Sequence, residues 1–174
     1  LTLLHPIATA SAEENSFITS NLISALKDLK IPTVLLGSNM DAGSDEVGKA
    51  IRNWIQNENP DYVFFAKHLH PDDFYRYLNA SICAIGNSSS FIREGAYFGT
   101  PVVLIGSRQN ERERSENILE SDGSCENIKS VIEKQLTIGR FPKSLLFGTG
   151  EASKQIAEIL SQVNLEVQKS FCDL

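Results

Sequence analysis

Short apolar runs alternate with helix-patterned stretches along this 174-residue chain, and no other feature restricts the possible folds so tightly. Leu1–Leu4 reads as a first strand. Phe17, Ile18, Leu22, Leu26 and Leu29 recur at helical spacing and predict a helix over Glu13–Leu29. Thr33–Leu36, behind Pro32, reads as a second strand. Asp45–Asn57 is helical, with Val47, Ile51, Trp54 and Ile55 on one face and two acids in its first turn. Tyr62–Ala66, Ser81–Ile85 and Val102–Ile105 read as three further strands. Between them lie a short helix over Asp72–Asn79 and another that stops near Phe98-Gly99. Helices near Glu126–Gln135 and Glu151–Val163 follow. Such alternation predicts an α/β domain: a Rossmann-like parallel sheet with helices on both faces. The length suits one domain over 1–174.

That architecture also says where function belongs. Open parallel sheets bind ligands outside the carboxyl ends of their strands. The residues just past the predicted strands are His5, then Asn39 and Asp41, then Lys67-His68-Leu69-His70, then Asn87–Ser90, then Arg108-Gln109. The polar clusters of interest therefore share one edge.

The chain carries a net charge of -6 and an isoelectric point near 5.1, which argues against a surface that wraps nucleic acid. An anion site must then be a local cluster of positive groups. Cys83, Cys125 and Cys172 are far apart and form no Cys-x-x-Cys pair, which fits reduced thiols in the cytoplasm. No apolar run approaches the ~18 residues of a membrane span. The missing initiator Met, with a strand-like run at residue one, suggests a piece of a longer protein.

Gly86-Asn87-Ser88-Ser89-Ser90-Phe91-Ile92-Arg93-Glu94-Gly95 follows a buried-strand pattern and opens a short helix. One Ser or Asn suffices to cap a helix. Four in a row also suit a phosphate at the helix N-terminus, where backbone N–H groups lack partners. Glu94 reads either as a first-turn acid or as an acceptor for two ribose hydroxyls, by analogy with dinucleotide folds. Arg93 reads equally as an outward salt-bridge partner. Arg108 is the better cation for a pyrophosphate, since its planar fork suits paired oxygens. Glu111, Glu113 and Arg114 read as a solvated surface turn, and Arg112 stays open between the two. His5 is either structural or a proton-transfer group. His68 and His70 lie two residues apart, share no helical face and find no third ligand, so no metal is expected. Asn39–Asp45 faintly resembles a calcium loop, but Ala50 stands where the bidentate acid belongs.

Taken in order, His5-Pro6, Asn39-Met40-Asp41-Ala42-Gly43-Ser44, Lys67-His68, Gly86-Asn87-Ser88-Ser89, Arg93-Glu94-Gly95, Phe98-Gly99-Thr100-Pro101-Val102, Gly106-Ser107-Arg108-Gln109 and Glu116-Asn117 resemble one family. It is the C-terminal half of UDP-N-acetylglucosamine 2-epimerases, and the resemblance runs from Leu1 to about Val163. It implies one half of a GT-B-type fold, built of two Rossmann-like domains, with the partner N-terminal domain missing here. It implies UDP-sugar as substrate, no cofactor, no metal, a homo-oligomer, and a cytoplasmic enzyme without nucleic-acid or membrane partners. Carried over, Ser88 and Ser89 contact the pyrophosphate, Glu94 the ribose and Arg108 the phosphates. Leu69 offers backbone groups to the uracil, Asn39 lines the nucleotide site, and His5 matches a catalytic-cleft histidine.

His5-Pro6-Ile7-Ala8-Thr9 stands where the non-hydrolysing branch has His-Arg-Arg-Glu-Asn, so the chain looks like the hydrolysing branch that feeds sialic-acid-type sugar synthesis. One departure is Phe91, where the family commonly has Gly: the ring must turn away, or phosphate contact is looser. Nothing matches the family's N-terminal acid/base carboxylates, so the chain alone is expected to be inactive. A GT-B glycosyltransferase donor domain and a non-catalytic nucleotide-binding module remain as alternatives.

Overall fold

The computed structural model describes residues 1–164. In chain order the elements are β1 Thr2–Leu3, α1 Ala12–Leu29, β2 Thr33–Leu36, α2 Ser44–Glu58, β3 Val63–Ala66 and α3 Pro71–Ala80. They continue with β4 Ala84–Gly86, α4 Ser89–Phe98, β5 Val102–Ile105, β6 Ile118–Ser121, α5 Cys125–Ile138 and α6 Ala152–Gln162. The strands form one sheet in the order β3-β2-β1-β4-β5-β6. Every pairing is parallel, with Thr2 opposite both Leu35 and Ile85. This is the Rossmann strand order, and its direction reverses between β1 and β4.

Side-chain alternation along the strands sorts the core into two layers. Leu35, Ile85, Val103 and Ile105 point to the face covered by α1, α2 and α5, where they meet Leu22, Leu26, Ile51, Trp54, Ile128 and Ile132. Leu36, Ala84, Val102 and Leu104 point to the face of α3 and α4, against Leu78, Phe91 and Ile92. β5 is buried along its whole length, as a strand covered on both faces must be. Burying one Leu or Ile side chain stabilises the fold by about 1.5–3 kcal/mol, so these two layers hold the sheet edge rigid for whatever binds there.

Helix ends follow their sequence signals. Ser11 caps α1 through its side chain, accepting from the Glu14 amide at 3.1 Å. Gly99 ends α4 in the left-handed region with φ 65°. Gly86 is where the chain has least freedom. Its φ is +141°, and a Cβ there would lie 1.9 Å from the Leu3 carbonyl oxygen, so only glycine lets β4 run this close to β1.

Two expectations need correction. β6 was not anticipated from the sequence: it offers only Ile118 and Leu119 after a charged run, which is weak strand patterning for an edge position. The fourth strand begins at Ala84 rather than Ser81, because the Ser81 amide is still bonded to the Tyr77 carbonyl at 2.9 Å and closes α3. Helix α6 presents Ile156, Ile159 and Leu160 to solvent and buries no residue. Among the described residues no helix is long and apolar enough to cross a membrane, and Cys83 and Cys125 form no disulfide. Cys172 lies outside the described residues.

Candidate functional site

Four of the loops at the carboxyl edge are stitched together by side chains that the sequence placed there. Asn87, buried at the exit of β4, accepts from the His5 amide and donates to the His5 carbonyl, both at 2.8 Å. One side chain thus satisfies both backbone groups of His5 across the switch between β1 and β4. Gln109, also buried, donates to the Asn87 carbonyl at 2.8 Å and ties in the loop after β5. The loop after β2 joins through Asn39, whose amide donates to His5 Nδ1 at 3.1 Å. With Nδ1 accepting, the proton of the neutral ring sits on Nε2.

Arg108 closes the circuit. Its Nη1 donates to the Pro6 carbonyl at 3.0 Å and its Nη2 to Asp41 Oδ2 at 2.9 Å. Its Nε is buried with no partner among the described residues. Asp41 also accepts from Asn39 Nδ2 at 2.6 Å. The hydrogen bonds from Asn39 and from Arg108 hold its carboxyl below the usual carboxylate range. Half-burial, and then the nearby guanidinium, push the His5 imidazole down from its ordinary 6.5 to about 4 against a smaller opposing pull from Asp41. His5 is therefore neutral at physiological pH.

Ser88 adjoins this network as the N-cap of α4. Its hydroxyl accepts from the Ser90 amide at 3.3 Å and its carbonyl from the Phe91 amide at 3.1 Å. The Ser89 amide, at the first helical position, has no intrahelical acceptor and points along the positive end of the helix. Phe91 is fully buried and stacks on Phe74 with ring centroids 6.4 Å apart, so its ring lies in the layer under α4. Of the two possibilities for this residue, the structure has the ring turned away from the helix end.

Leu69 and Glu94 are not hydrogen-bonded into the His5–Arg108 network. Leu69, after β3, packs against the Phe91 layer. Half-buried Glu94 lines a separate cavity of about 250 Å³ with Arg93, Tyr97, Phe147, Thr149 and Gly150. Its Oε2 is buried and has no hydrogen-bond partner among the described residues. An unsatisfied buried carboxylate oxygen is costly, and a donor supplied by a ligand would remove the cost. Arg93 is exposed beside it.

Asn87 and Gln109 as loop fasteners, Asp41 as the partner of Arg108, and the Phe147–Gly150 segment beside Glu94 were not assigned these parts from the sequence. A buried-strand pattern running out through Gly86 into Asn87 was the one available signal for Asn87. Arg114 is a correction. It was read as solvated, yet it is half-buried, pairs with Glu120 on β6 and donates to the Gln109 carbonyl at 3.0 Å. The unanticipated β6 supplied its partner. His70 caps α3, accepting from the Asp72 amide at 3.4 Å.

A sequence profile described as UDP-N-acetylglucosamine 2-epimerase matches residues 1–161. The hydrolysing UDP-N,N'-diacetylbacillosamine 2-epimerase of Legionella pneumophila is 31% identical over 97% of this chain and 44% of its own length. The UDP-N-acetylglucosamine 2-epimerase of Neisseria meningitidis serogroup B is 23% identical over 100% of this chain and 46% of its own length. The hydrolysing GDP/UDP-N,N'-diacetylbacillosamine 2-epimerase of Campylobacter jejuni is 29% identical, over 98% of this chain and 45% of its own length. The chain thus spans under half the length of these relatives. In fold, it superposes on the Methanocaldococcus jannaschii UDP-GlcNAc 2-epimerase, solved with UDP-GlcNAc and UDP, at a TM-score of 0.70. That match has 12% identity and covers 92% of this chain and 44% of the other.

Proposed function

The chain belongs to the UDP-N-acetylglucosamine 2-epimerase family, and from that premise we propose that it is the UDP-binding half of a hydrolysing 2-epimerase. The parent enzyme eliminates UDP across C1–C2 of an acetamido sugar. Water then adds across the glycal double bond and gives the free 2-epimer, N-acetylmannosamine or a diacetamido analogue, alongside the UDP already eliminated. One observation supports this reading above the others: His5, Asn39, Asp41, Asn87, Arg108 and Gln109 form one hydrogen-bonded network at the strand-order switch, next to the capped start of α4.

Elimination requires a base for the C2 proton and stabilisation of the charge that develops on the departing diphosphate. This chain supplies the second. The Ser88 and Ser89 region at the α4 N-terminus and the Arg108 guanidinium receive the diphosphate. Glu94 accepts the ribose hydroxyls, the Leu69 backbone meets the uracil, and Asn39 borders the nucleotide. His5, with a proton on Nε2, is the group placed to pass a proton to the leaving phosphate oxygen. The C2 base belongs to the missing N-terminal domain, the one further partner the reading requires.

Three or four charge-assisted hydrogen bonds at ~1.5–3 kcal/mol each give roughly 5–12 kcal/mol before an association cost of at least ~4 kcal/mol. Titration calorimetry of this chain with UDP is therefore expected to give a Kd in the high micromolar to millimolar range, with no turnover of UDP-sugar. No heat at millimolar UDP, or epimerase activity from this chain alone, contradicts the reading. Incubating the full-length protein with UDP-N-acetylglucosamine and with its diacetamido analogue identifies the sugar. Transfer to an acceptor, instead of release of a free 2-epimer, would mark a glycosyltransferase.

A further inference from the structure

Between the proposed diphosphate cation and the proposed proton-transfer group stands a carboxylate that the sequence motifs did not explain. Asp41 bonds to Arg108 at 2.9 Å and to the Asn39 side chain at 2.6 Å, while the Asn39 amide holds His5 Nδ1 at 3.1 Å. The Arg108–Asp41 pair is only partly exposed, with the guanidinium side chain at 23% and the carboxylate side chain at 41%. The same guanidinium is braced on the other side by the Pro6 carbonyl at 3.0 Å, one residue from His5. Neither loop could move without breaking these bonds.

We propose that Asp41 is a positioning residue of the diphosphate site: it holds Arg108 against the His5 loop, so that an anion received by Arg108 is felt by the imidazole and draws a proton from solvent onto His5. This inference rests on the reading of the site as one for a nucleoside diphosphate.

The electrostatics follow from which groups face the ring. Arg108 comes from the β5 loop and Asp41 from the β2 loop; the β1 and β4 loops bring Pro6 and Asn87, which do not ionise. In the unliganded protein the guanidinium outweighs the carboxylate, and with burial it keeps the imidazole neutral down to about 4. A diphosphate on Arg108 adds negative charge and removes that excess. An opposite charge within a few ångströms favours the charged form of a base, so the imidazolium becomes accessible nearer neutral pH once the Asn39 amide releases Nδ1, where the added proton must sit. UDP binding would thereby arm the residue that must donate a proton to it, and an empty site would keep the residue uncharged. Asp41 supports the same imidazolium and keeps the cation in place, which is why its removal is expected to affect both binding and titration.

The test is a pH titration of the His5 imidazole by heteronuclear NMR on the intact chain, without and with saturating UDP. His68 and His70 flank Leu69, the proposed uracil contact, so only the His5 resonance is read. The proposal requires His5 to titrate near 4 when unliganded and at least one unit higher with UDP. Arg108→Gln is expected to raise the unliganded value, since it removes the opposing cation. Asp41→Asn is expected to bind UDP several-fold more weakly and to show a smaller UDP-induced rise at saturation. A residue with only a structural role would weaken binding and leave the rise per bound UDP unchanged. An ordinary His5 titration without UDP, no shift with saturating UDP, or an Asp41→Asn variant that binds and titrates like the parent would each overturn the proposal. If the parent chain binds no UDP at all, the diphosphate reading itself fails. The unliganded titrations of the parent and Arg108→Gln then still decide whether the cation controls the imidazole.

Discussion

Glu94→Ala separates a binding residue from a structural one, because the two roles predict opposite signs for stability. Glu94 Oε2 is buried without a partner among the described residues, so the folded, empty protein carries its desolvation. An unsatisfied buried polar atom costs about 1–3 kcal/mol, and more for a charged group. Truncation to Ala removes that cost and forfeits one half-buried methylene worth at most ~0.8 kcal/mol. Ala is also a better helix former than Glu inside α4. The balance lies between zero and roughly +2 kcal/mol, a Tm unchanged or raised by up to ~8 °C for a chain of this size. Binding moves the other way. Two hydroxyl-to-carboxylate bonds at ~1.5–3 kcal/mol each give a loss of about 3 kcal/mol or more, at least a hundredfold in Kd. The assay pairs thermal melts with calorimetric titration of UDP and of its 2′,3′-dideoxy analogue. The parent chain is expected to give binding heat with UDP and none with the analogue, and the variant none with either. A Tm lowered by several degrees with unchanged UDP affinity would refute the reasoning and make Glu94 a fold residue.

Gly86→Ala is expected to cost about 3 kcal/mol or more in chemical denaturation, because the new Cβ would meet the Leu3 carbonyl oxygen at 1.9 Å and φ is +141°. A loss under 1 kcal/mol would show that β1 and β4 can separate cheaply. Asn87→Ala leaves both backbone groups of His5 unpartnered and should destabilise by roughly 2 kcal/mol while weakening UDP binding; unchanged affinity would disconnect the network from the site. The pH dependence of stability carries its own signature. His5 titrates lower folded than unfolded, so the unfolded chain binds the extra proton and stability falls as pH drops from 6.5 to about 4. Above 6.5 the group contributes no slope. Equilibrium unfolding of His5→Asn should lack that part of the decline, and identical curves for parent and variant would contradict the His5 assignment.

The sheet and the loops that share its carboxyl edge were legible because short apolar runs and 3.6-period helices are local signals, and their alternation fixes which loops lie on that edge. Strand β5, wholly apolar, and helix α1, with five apolar residues at helical spacing, were read to within a residue. Strand β6 was not, since an edge strand buries little and Ile118-Leu119 alone carry no period. The candidate site was legible residue by residue but not bond by bond. His5, Asn39 and Arg108 could be named from their positions after strands. That Asn87 grips His5 and Asp41 grips Arg108 depends on loops separated by 82 and 67 residues meeting across the switch. Arg114 was misjudged for the same reason: the burial of a charge is set by its partner, and Glu120 belongs to the strand that was missed.

The central claim is that a uridine diphosphate lies across the carboxyl edge, between the start of α4 and Arg108. Titrating UDP into the isotope-labelled chain and following the backbone amides tests it directly. The account predicts saturable shifts concentrated at His5, Asn39, Ser88, Ser89, Glu94 and Arg108. Shifts scattered over the opposite edge of the sheet, or no shifts at millimolar UDP, would contradict it.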